Sequence, residues 1–119
     1  MTKVLIIENH ADMREILVRV IELMGFTPIT SENGKQGVEK AVAEKPNLIL
    51  MDIMMPEMDG WEATRILRSH PETKDVPILA ATVLIRPSDL QRCIDAGCND
   101  YIVKPFTAKD LRKRILALI

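Results

Sequence analysis

Four apolar runs in this chain each stop on a polar residue able to do chemistry. Glu8-Asn9 follows Val4-Leu5-Ile6-Ile7, Asp52 follows Leu48-Ile49-Leu50-Met51, Thr82 follows Pro77-Ile78-Leu79-Ala80-Ala81, and Lys104 follows Tyr101-Ile102-Val103. Two carboxylates and a carboxamide, with backbone carbonyls beside them, form an oxygen-donor set suited to Mg²⁺. That ion takes one or two carboxylates and completes its shell with water and phosphate oxygens. A lysine and a hydroxyl opposite the metal can hold the remaining oxygens of a phosphoryl group. Phosphoryl transfer asks chiefly for positioning and charge neutralisation, and a carboxylate is a competent covalent acceptor. Asp52 is the candidate nucleophile because it ends the most apolar run, where its carboxylate is held rigidly. Any one of these residues alone reads as a strand terminator, since loops are polar; the chemistry lies in the set.

The runs have to be brought together, and the pattern between them says how. Short apolar stretches alternate five times with longer stretches of helical period, which predicts a parallel sheet with crossover helices. Met13, Ile16, Leu17, Val20, Ile21 and Met24 form one helical stripe that Gly25 stops. Phe26 to Thr30 is a second strand, of edge character because of Pro28. The turn-rich Ser31-Glu32-Asn33-Gly34 leads to a short helix marked by Val38, Ala41 and Val42 and closed at Lys45-Pro46. Leu48 to Met51 is apolar on both faces, the mark of a central strand covered by helices.

The third helix carries Ala63, Ile66 and Leu67 and ends before Pro71. Pro87 suits the first turn of the fourth, which runs through Leu90 and Ile94 to Gly97. Thr107, with Asp110 three residues on, caps a last helix containing Leu111, Ile115 and Leu118. In such a sheet ligands bind beyond the carboxyl ends of the strands near the switch point, where the polar strand ends converge.

The 119 residues fit a single domain, 1–119, able to bury a core without disulfides or a structural metal. With 47% hydrophobic and 28% charged residues the composition is that of an ordinary globular protein. Sixteen basic and 17 acidic residues are spread along the chain and give no general pull toward nucleic acid or anionic lipid. Val4 to Ile7 is too short for a signal-peptide apolar region, and no run approaches a membrane span, so a cytoplasmic location is expected. Cys93 and Cys98 lack metal-ligand or redox spacing and read as partly buried free thiols.

The chain resembles the receiver domain of two-component response regulators along its whole length. The most specific stretch is Leu48 to Gly60, LILMDIMMPEMDG, which is similar to the family's phosphoacceptor strand and following loop. Pro77-Ile78-Leu79-Ala80-Ala81-Thr82 and Tyr101-Ile102-Val103-Lys104-Pro105-Phe106 match two further signatures in the right order. The resemblance implies a flavodoxin-like, doubly wound α/β fold: five parallel strands in the order 2-1-3-4-5 with five helices. It implies that Asp52 accepts a phosphoryl group from a histidine kinase or histidine phosphotransfer protein. Mg²⁺ is then held by Glu8, Asn9, Asp52 and the backbone carbonyl of Met54. Thr82 and Lys104 contact the phosphoryl group, Lys104-Pro105 is a cis peptide, and Thr82 with Tyr101 forms the switch. The face of the fourth helix, fifth strand and fifth helix then changes for a downstream protein partner, with a homodimer through that face left open. The domain is thus a regulatory phosphoacceptor, at most catalysing its own phosphorylation and dephosphorylation.

Asn9 departs from the family, where a second acidic residue coordinates the metal. The pocket carries one negative charge fewer, and weaker Mg²⁺ binding is expected. A receiver-like interaction module with weakened or lost phosphorylation is therefore an alternative. A Mg²⁺-dependent phosphohydrolase is a third class, but it often carries a second aspartate where Met54 stands. A flavin-mononucleotide protein is disfavoured, because Glu8-Asn9-His10 puts acid where a phosphate loop needs glycine and hydroxyls.

Val83-Leu84-Ile85 reads as packing beneath the fourth helix, with a partner surface as the alternative, and Met54 with Leu84 as a shield over an acyl phosphate. Met51, Met54, Met55 and Met58 read as gap-fillers. His10 and His70 read as surface residues, without a metal partner at helical spacing. The chain ends with its fifth helix, so a stand-alone domain acting by docking is expected, with a segment of a longer regulator or hybrid kinase as the alternative.

Overall fold

The computed structural model describes residues 1–119. Strands and helices alternate as β1 (Lys3–Ile7), α1 (Ala11–Leu23), β2 (Thr27–Ser31), α2 (Gly34–Glu44), β3 (Leu48–Asp52), α3 (Gly60–Ser69), β4 (Ile78–Thr82), α4 (Pro87–Ala96), β5 (Asp100–Val103) and α5 (Ala108–Leu118). The strands form one parallel sheet in the order β2-β1-β3-β4-β5. From β1 the chain adds β2 on one side, then crosses back to add β3 on the other. The winding therefore reverses between β1 and β3, and the crevice at their carboxyl ends is the switch point.

The alternation of side chains along the strands builds two cores. Leu5, Ile7, Ile49, Met51, Ile78 and Ala80 face a cluster completed by Val38 and Ala41 of α2, Ala63 and Leu67 of α3, and Cys93 of α4. Val4, Ile6, Leu48, Leu50, Leu79 and Ala81 face the other, completed by Leu17 and Ile21 of α1 and Leu111 and Ile115 of α5. Fully burying a Leu or Ile side chain contributes about 1.5–3 kcal/mol; β1, β3 and β4 are all buried on both faces, and β1 and β3 fill those faces with the larger side chains. They also carry Glu8 and Asp52.

Helix ends are set by local chemistry. Asn33, Asp59 and Thr107 accept hydrogen bonds from the backbone N–H groups of Gln36, Glu62 and Asp110, each such cap contributing about 1 kcal/mol. Gly25 (φ 82°) and Gly97 (φ 115°) end α1 and α4 in the left-handed region. At each, the next residue donates five positions back, Phe26 to the Ile21 carbonyl and Cys98 to the Cys93 carbonyl. An apolar contact between those two positions accompanies this cap. It accounts for the cysteines, which are wholly buried rather than partly so. It also moves the start of β2 from Phe26 to Thr27, because the Phe26 N–H belongs to the end of α1. Arg68 ties the end of α3 to its surroundings through hydrogen bonds to the carbonyls of Gly97, Thr73, Lys74 and Val76 and to Asn99 Oδ1.

Val83-Leu84-Ile85 divides. Leu84 packs against the first core, but Val83 and Ile85 are 57% and 67% exposed, so packing beneath α4 holds for Leu84 alone. Met51 and Met55 are buried and Met58 partly so, whereas Met54 is 50% exposed and fills no gap.

Candidate functional site

Asp52 is the last residue of β3, and its position is fixed from behind by the start of α3. The Gly60 N–H donates to the Ile53 carbonyl at 2.8 Å, and a Cβ on Gly60 would lie 2.5 Å from the Asp52 carbonyl oxygen. Only glycine permits that approach. On the other side, the Ile53 N–H is held by the Ala81 carbonyl of β4 at 3.1 Å. The carboxylate is 4% exposed, and Glu8, directly after β1, is 1% exposed.

Lys104, directly after β5, reaches across both. Its Nζ donates to Glu8 Oε1 at 2.9 Å and to Asp52 Oδ1 at 3.2 Å. Burial and the neighbouring Glu8 charge push the Asp52 carboxyl up to about 6, against the pull of Lys104. Burial acts on Glu8 in the same sense but is outweighed. The hydrogen bond from Lys104, the His10 backbone N–H and the Lys104 charge together hold Glu8 below the usual glutamate range.

Asp52 Oδ2 is buried with no hydrogen-bond partner, and so is Oδ1 of Asn9, the residue that follows Glu8. Orphaned oxygens of this kind are costly unless a cation or another donor takes them up. The Met54 carbonyl accepts no internal hydrogen bond. The donor chemistry therefore fits Mg²⁺. Asn9 also lines a polar cavity of about 420 Å³ with Arg14, Glu32, Asn33, Pro56 and Glu57. Thr82 is buried at the end of β4, where its Oγ1 accepts from the Leu84 N–H at 3.0 Å and its carbonyl from the Lys104 N–H at 2.8 Å. Its hydroxyl makes no bond to Asp52 here. The Lys104–Pro105 peptide is cis. Tyr101 is half-buried and lines a cleft of about 460 Å³ with Phe106, Lys113 and Arg114 of the β5–α5 face.

Residues 4–116 match the response regulator receiver domain. The chain belongs to that family. Among curated relatives, the probable transcriptional regulator ycf27 of Porphyridium aerugineum is 36% identical over 117 residues, 98% of this chain and 48% of that protein. The receiver chain spans about half the length of most of the curated relatives it matches. Among solved structures, the chemotaxis protein CheY4 of Vibrio cholerae superposes with a TM-score of 0.95 at 27% identity, covering 100% of this chain and 99% of that one. The receiver domain of the sensor histidine kinase PA1611 of Pseudomonas aeruginosa superposes with a TM-score of 0.91 at 29% identity, covering 98% and 96%, and holds a magnesium ion in its active-site cleft. No helix is long and apolar enough to cross a membrane.

His10 is a surface residue, as the sequence predicts, its side chain 72% exposed. What the sequence reading did not anticipate is that its Nδ1 lies 3.3 Å from Glu8 Oε2. The overlooked signal is the Glu8-Asn9-His10 spacing, which leaves a strand rather than riding a helix.

The amide at position 9 has a measurable expected consequence. Asn9→Asp restores an acidic donor next to a carboxylate already held down by Lys104, and should tighten Mg²⁺ binding by about tenfold, on the order of the 1.4 kcal/mol that one charge contributes at short range in partly polar surroundings. Calorimetric titration of Mg²⁺ into both proteins measures this, and equal affinities would refute it. Calorimetry is preferable to emission from Trp61. That indole is buried in the α3–α4 contact, donating to Cys93 Sγ beneath the Arg92 guanidinium, and its emission reports on that contact.

Proposed function

We propose that residues 1–119 work as a phosphorylation-activated signalling switch, with Asp52 accepting a phosphoryl group from a histidine kinase or histidine phosphotransfer protein. Asp52 itself carries this reading: a carboxylate fixed at a strand end, buried, pushed up to about 6, with one oxygen on Lys104 and the other unpartnered. One carboxylate oxygen of Asp52 forms the new bond to phosphorus, leaving the other for the cation. As it does, the bond from phosphorus to the donor imidazole nitrogen breaks, and the imidazole leaves with that electron pair and regains a proton.

Glu8, Asn9 Oδ1, Asp52 and the Met54 carbonyl are the groups that would hold Mg²⁺, which when bound neutralises charge on the phosphoryl oxygens. Lys104 pairs with a phosphoryl oxygen in place of the Asp52 oxygen it now holds. The Thr82 hydroxyl, whose oxygen accepts from the Leu84 N–H, turns to donate to a phosphoryl oxygen, which pulls on the β4–α4 connection. Tyr101 then moves within its cleft, and the α4–β5–α5 face is remodelled for a protein partner.

The test is intact mass after incubation with Mg²⁺ and acetyl phosphate. Wild type is expected to gain one phosphoryl group and Asp52→Ala none. No gain in the wild type, either with acetyl phosphate or with a cognate kinase, would leave a docking module that is not regulated by phosphorylation.

A further inference from the structure

Cys93 lies in the last turn of α4 and Cys98 just beyond Gly97, and the cap around Gly97 turns the chain back so that the two meet. The Cys98 N–H donates to the Cys93 carbonyl at 2.9 Å. With ordinary backbone bond lengths, such a bond keeps the two Cα atoms within about 6.8 Å of each other, inside the span that a disulfide covers. Both side chains belong to one buried cluster, at 0% and 5% exposure, and both are free.

The two sulfurs are not equivalent. Cys93 Sγ accepts from the Trp61 indole N–H at 3.3 Å, and the Arg92 guanidinium lies 3.7 Å from the centre of that ring. Cys98 Sγ lies 3.7 Å from the Thr64 hydroxyl. Hydrogen bonds from Cys98 and Trp61 hold the Cys93 thiol below the usual thiol range against its burial, whereas Cys93 and burial push Cys98 up. Cys93 is therefore the partner that forms the thiolate, and Cys98 the one that keeps its proton. α4 is also an element able to admit a reagent. Its buried residues are Asp89, Cys93 and Ala96, none of them a large apolar side chain, and its N-cap Arg86 makes no side-chain capping bond. A helix held in this way opens locally at less cost than one that buries leucine, isoleucine or tryptophan.

We propose that Cys93 and Cys98 form a redox modification site, oxidised by a hydroperoxide to an intramolecular disulfide that pins the last turn of α4 to the segment entering β5. The Cys93 thiolate attacks one peroxide oxygen. The O–O bond breaks, and the other oxygen leaves with the electron pair, takes up a proton and departs as water or an alcohol. Cys93 is then a sulfenic acid. The Cys98 sulfur attacks the Cys93 sulfur, the S–O bond breaks, and hydroxide leaves with the Cys98 proton as water. The two thiols give up two electrons and two protons, and the peroxide is reduced. The site does not depend on the role given to Asp52, and its test contains no phosphodonor.

Folded protein is treated with hydrogen peroxide, denatured in an alkylating agent and digested with trypsin. Both cysteines fall on one peptide, which begins after Arg92. Wild type is expected to yield that peptide unalkylated and lighter by two hydrogens, and to recover both alkyl groups when dithiothreitol precedes alkylation. Cys98→Ser should yield no such peptide. Equilibration in glutathione buffers adds a comparison that needs no variant. Half-oxidation should come at an oxidising ratio about tenfold lower for the folded protein than for the chain in urea, because the fold holds the thiols in contact. Alkylation of both cysteines after peroxide, or a folded protein no easier to oxidise than the unfolded chain, overturns the proposal and leaves the pair as packing around the Gly97 cap.

Discussion

Asp52→Asn is expected to stabilise the folded protein at neutral pH by about 1–3 kcal/mol, although the same change removes the proposed phosphoacceptor. The native Asp52 carboxyl is pushed by burial and by Glu8 from the ordinary 3.8 to about 6. Below the unfolded value both states carry the proton and the site costs nothing extra. Between 3.8 and about 6 the native state binds more protons than the unfolded one, so stability falls as pH rises through that window and the full penalty is present above it. A shift of that size corresponds to about 3 kcal/mol at most, and Lys104, which loses a partner in the variant, takes back part of the gain. Asparagine keeps the shape and removes the charge. Urea denaturation at pH 4 and pH 7.5 is the measurement. The variant should exceed wild type at pH 7.5 and differ little at pH 4. Saturating Mg²⁺ should close the gap by stabilising wild type alone. A variant less stable than wild type at pH 7.5 would mean that Lys104 already compensates the Asp52 charge in full.

The same balance explains what could be read from the sequence. Asp52, Glu8, Thr82 and Lys104 stood out because each directly follows an apolar run, and in a parallel sheet the ends of the runs must meet. A central β3 and an edge β2 marked by Pro28 were legible, but they leave several arrangements open, and the order 2-1-3-4-5 came from the resemblance to receiver domains. What stayed hidden depends on side-chain direction. Whether Val83 and Ile85 face the core or the solvent is decided by the path of the β4–α4 connection, which no periodicity records over three residues. His10 could be placed only when the chain was seen to leave β1 extended. In that conformation residues two apart share a side, as Glu8 and His10 do. The cysteine pair was opaque for another reason: its spacing of five matches no ligand motif, and its cause is the cap around Gly97.

Lys104→Met should destabilise the protein by about 3–5 kcal/mol at pH 8, the range for removing one member of a buried ion pair and leaving charge behind. The Nζ bridges Glu8 Oε1 and Asp52 Oδ1 at 2.9 and 3.2 Å. Methionine retains most of the stem's packing volume, so the loss reports on the ammonium rather than on a cavity. Without it, two desolvated carboxylates face each other, and one must take up a proton or the fold must open. Asp52 is then pushed up further and Glu8 loses the Lys104 contacts that hold it down, so the loss should shrink as pH is lowered toward 5, where that proton is available.

Asp52→Asn in the Lys104→Met background removes the repulsion at its source. It should recover most of the lost stability, a coupling of about 2 kcal/mol or more in a double-mutant cycle. Mg²⁺ should rescue the single variant for the same reason, since it supplies the missing positive charge to Glu8 and Asp52. If Lys104→Met loses the same amount at pH 5 and pH 8, and Asp52→Asn restores nothing, Lys104 acts through packing and the electrostatic account of the pocket fails. If the predicted coupling is found, the unphosphorylated pocket is held closed by Lys104. A phosphoryl group on Asp52 would then change the fold by offering that ammonium a more highly charged partner.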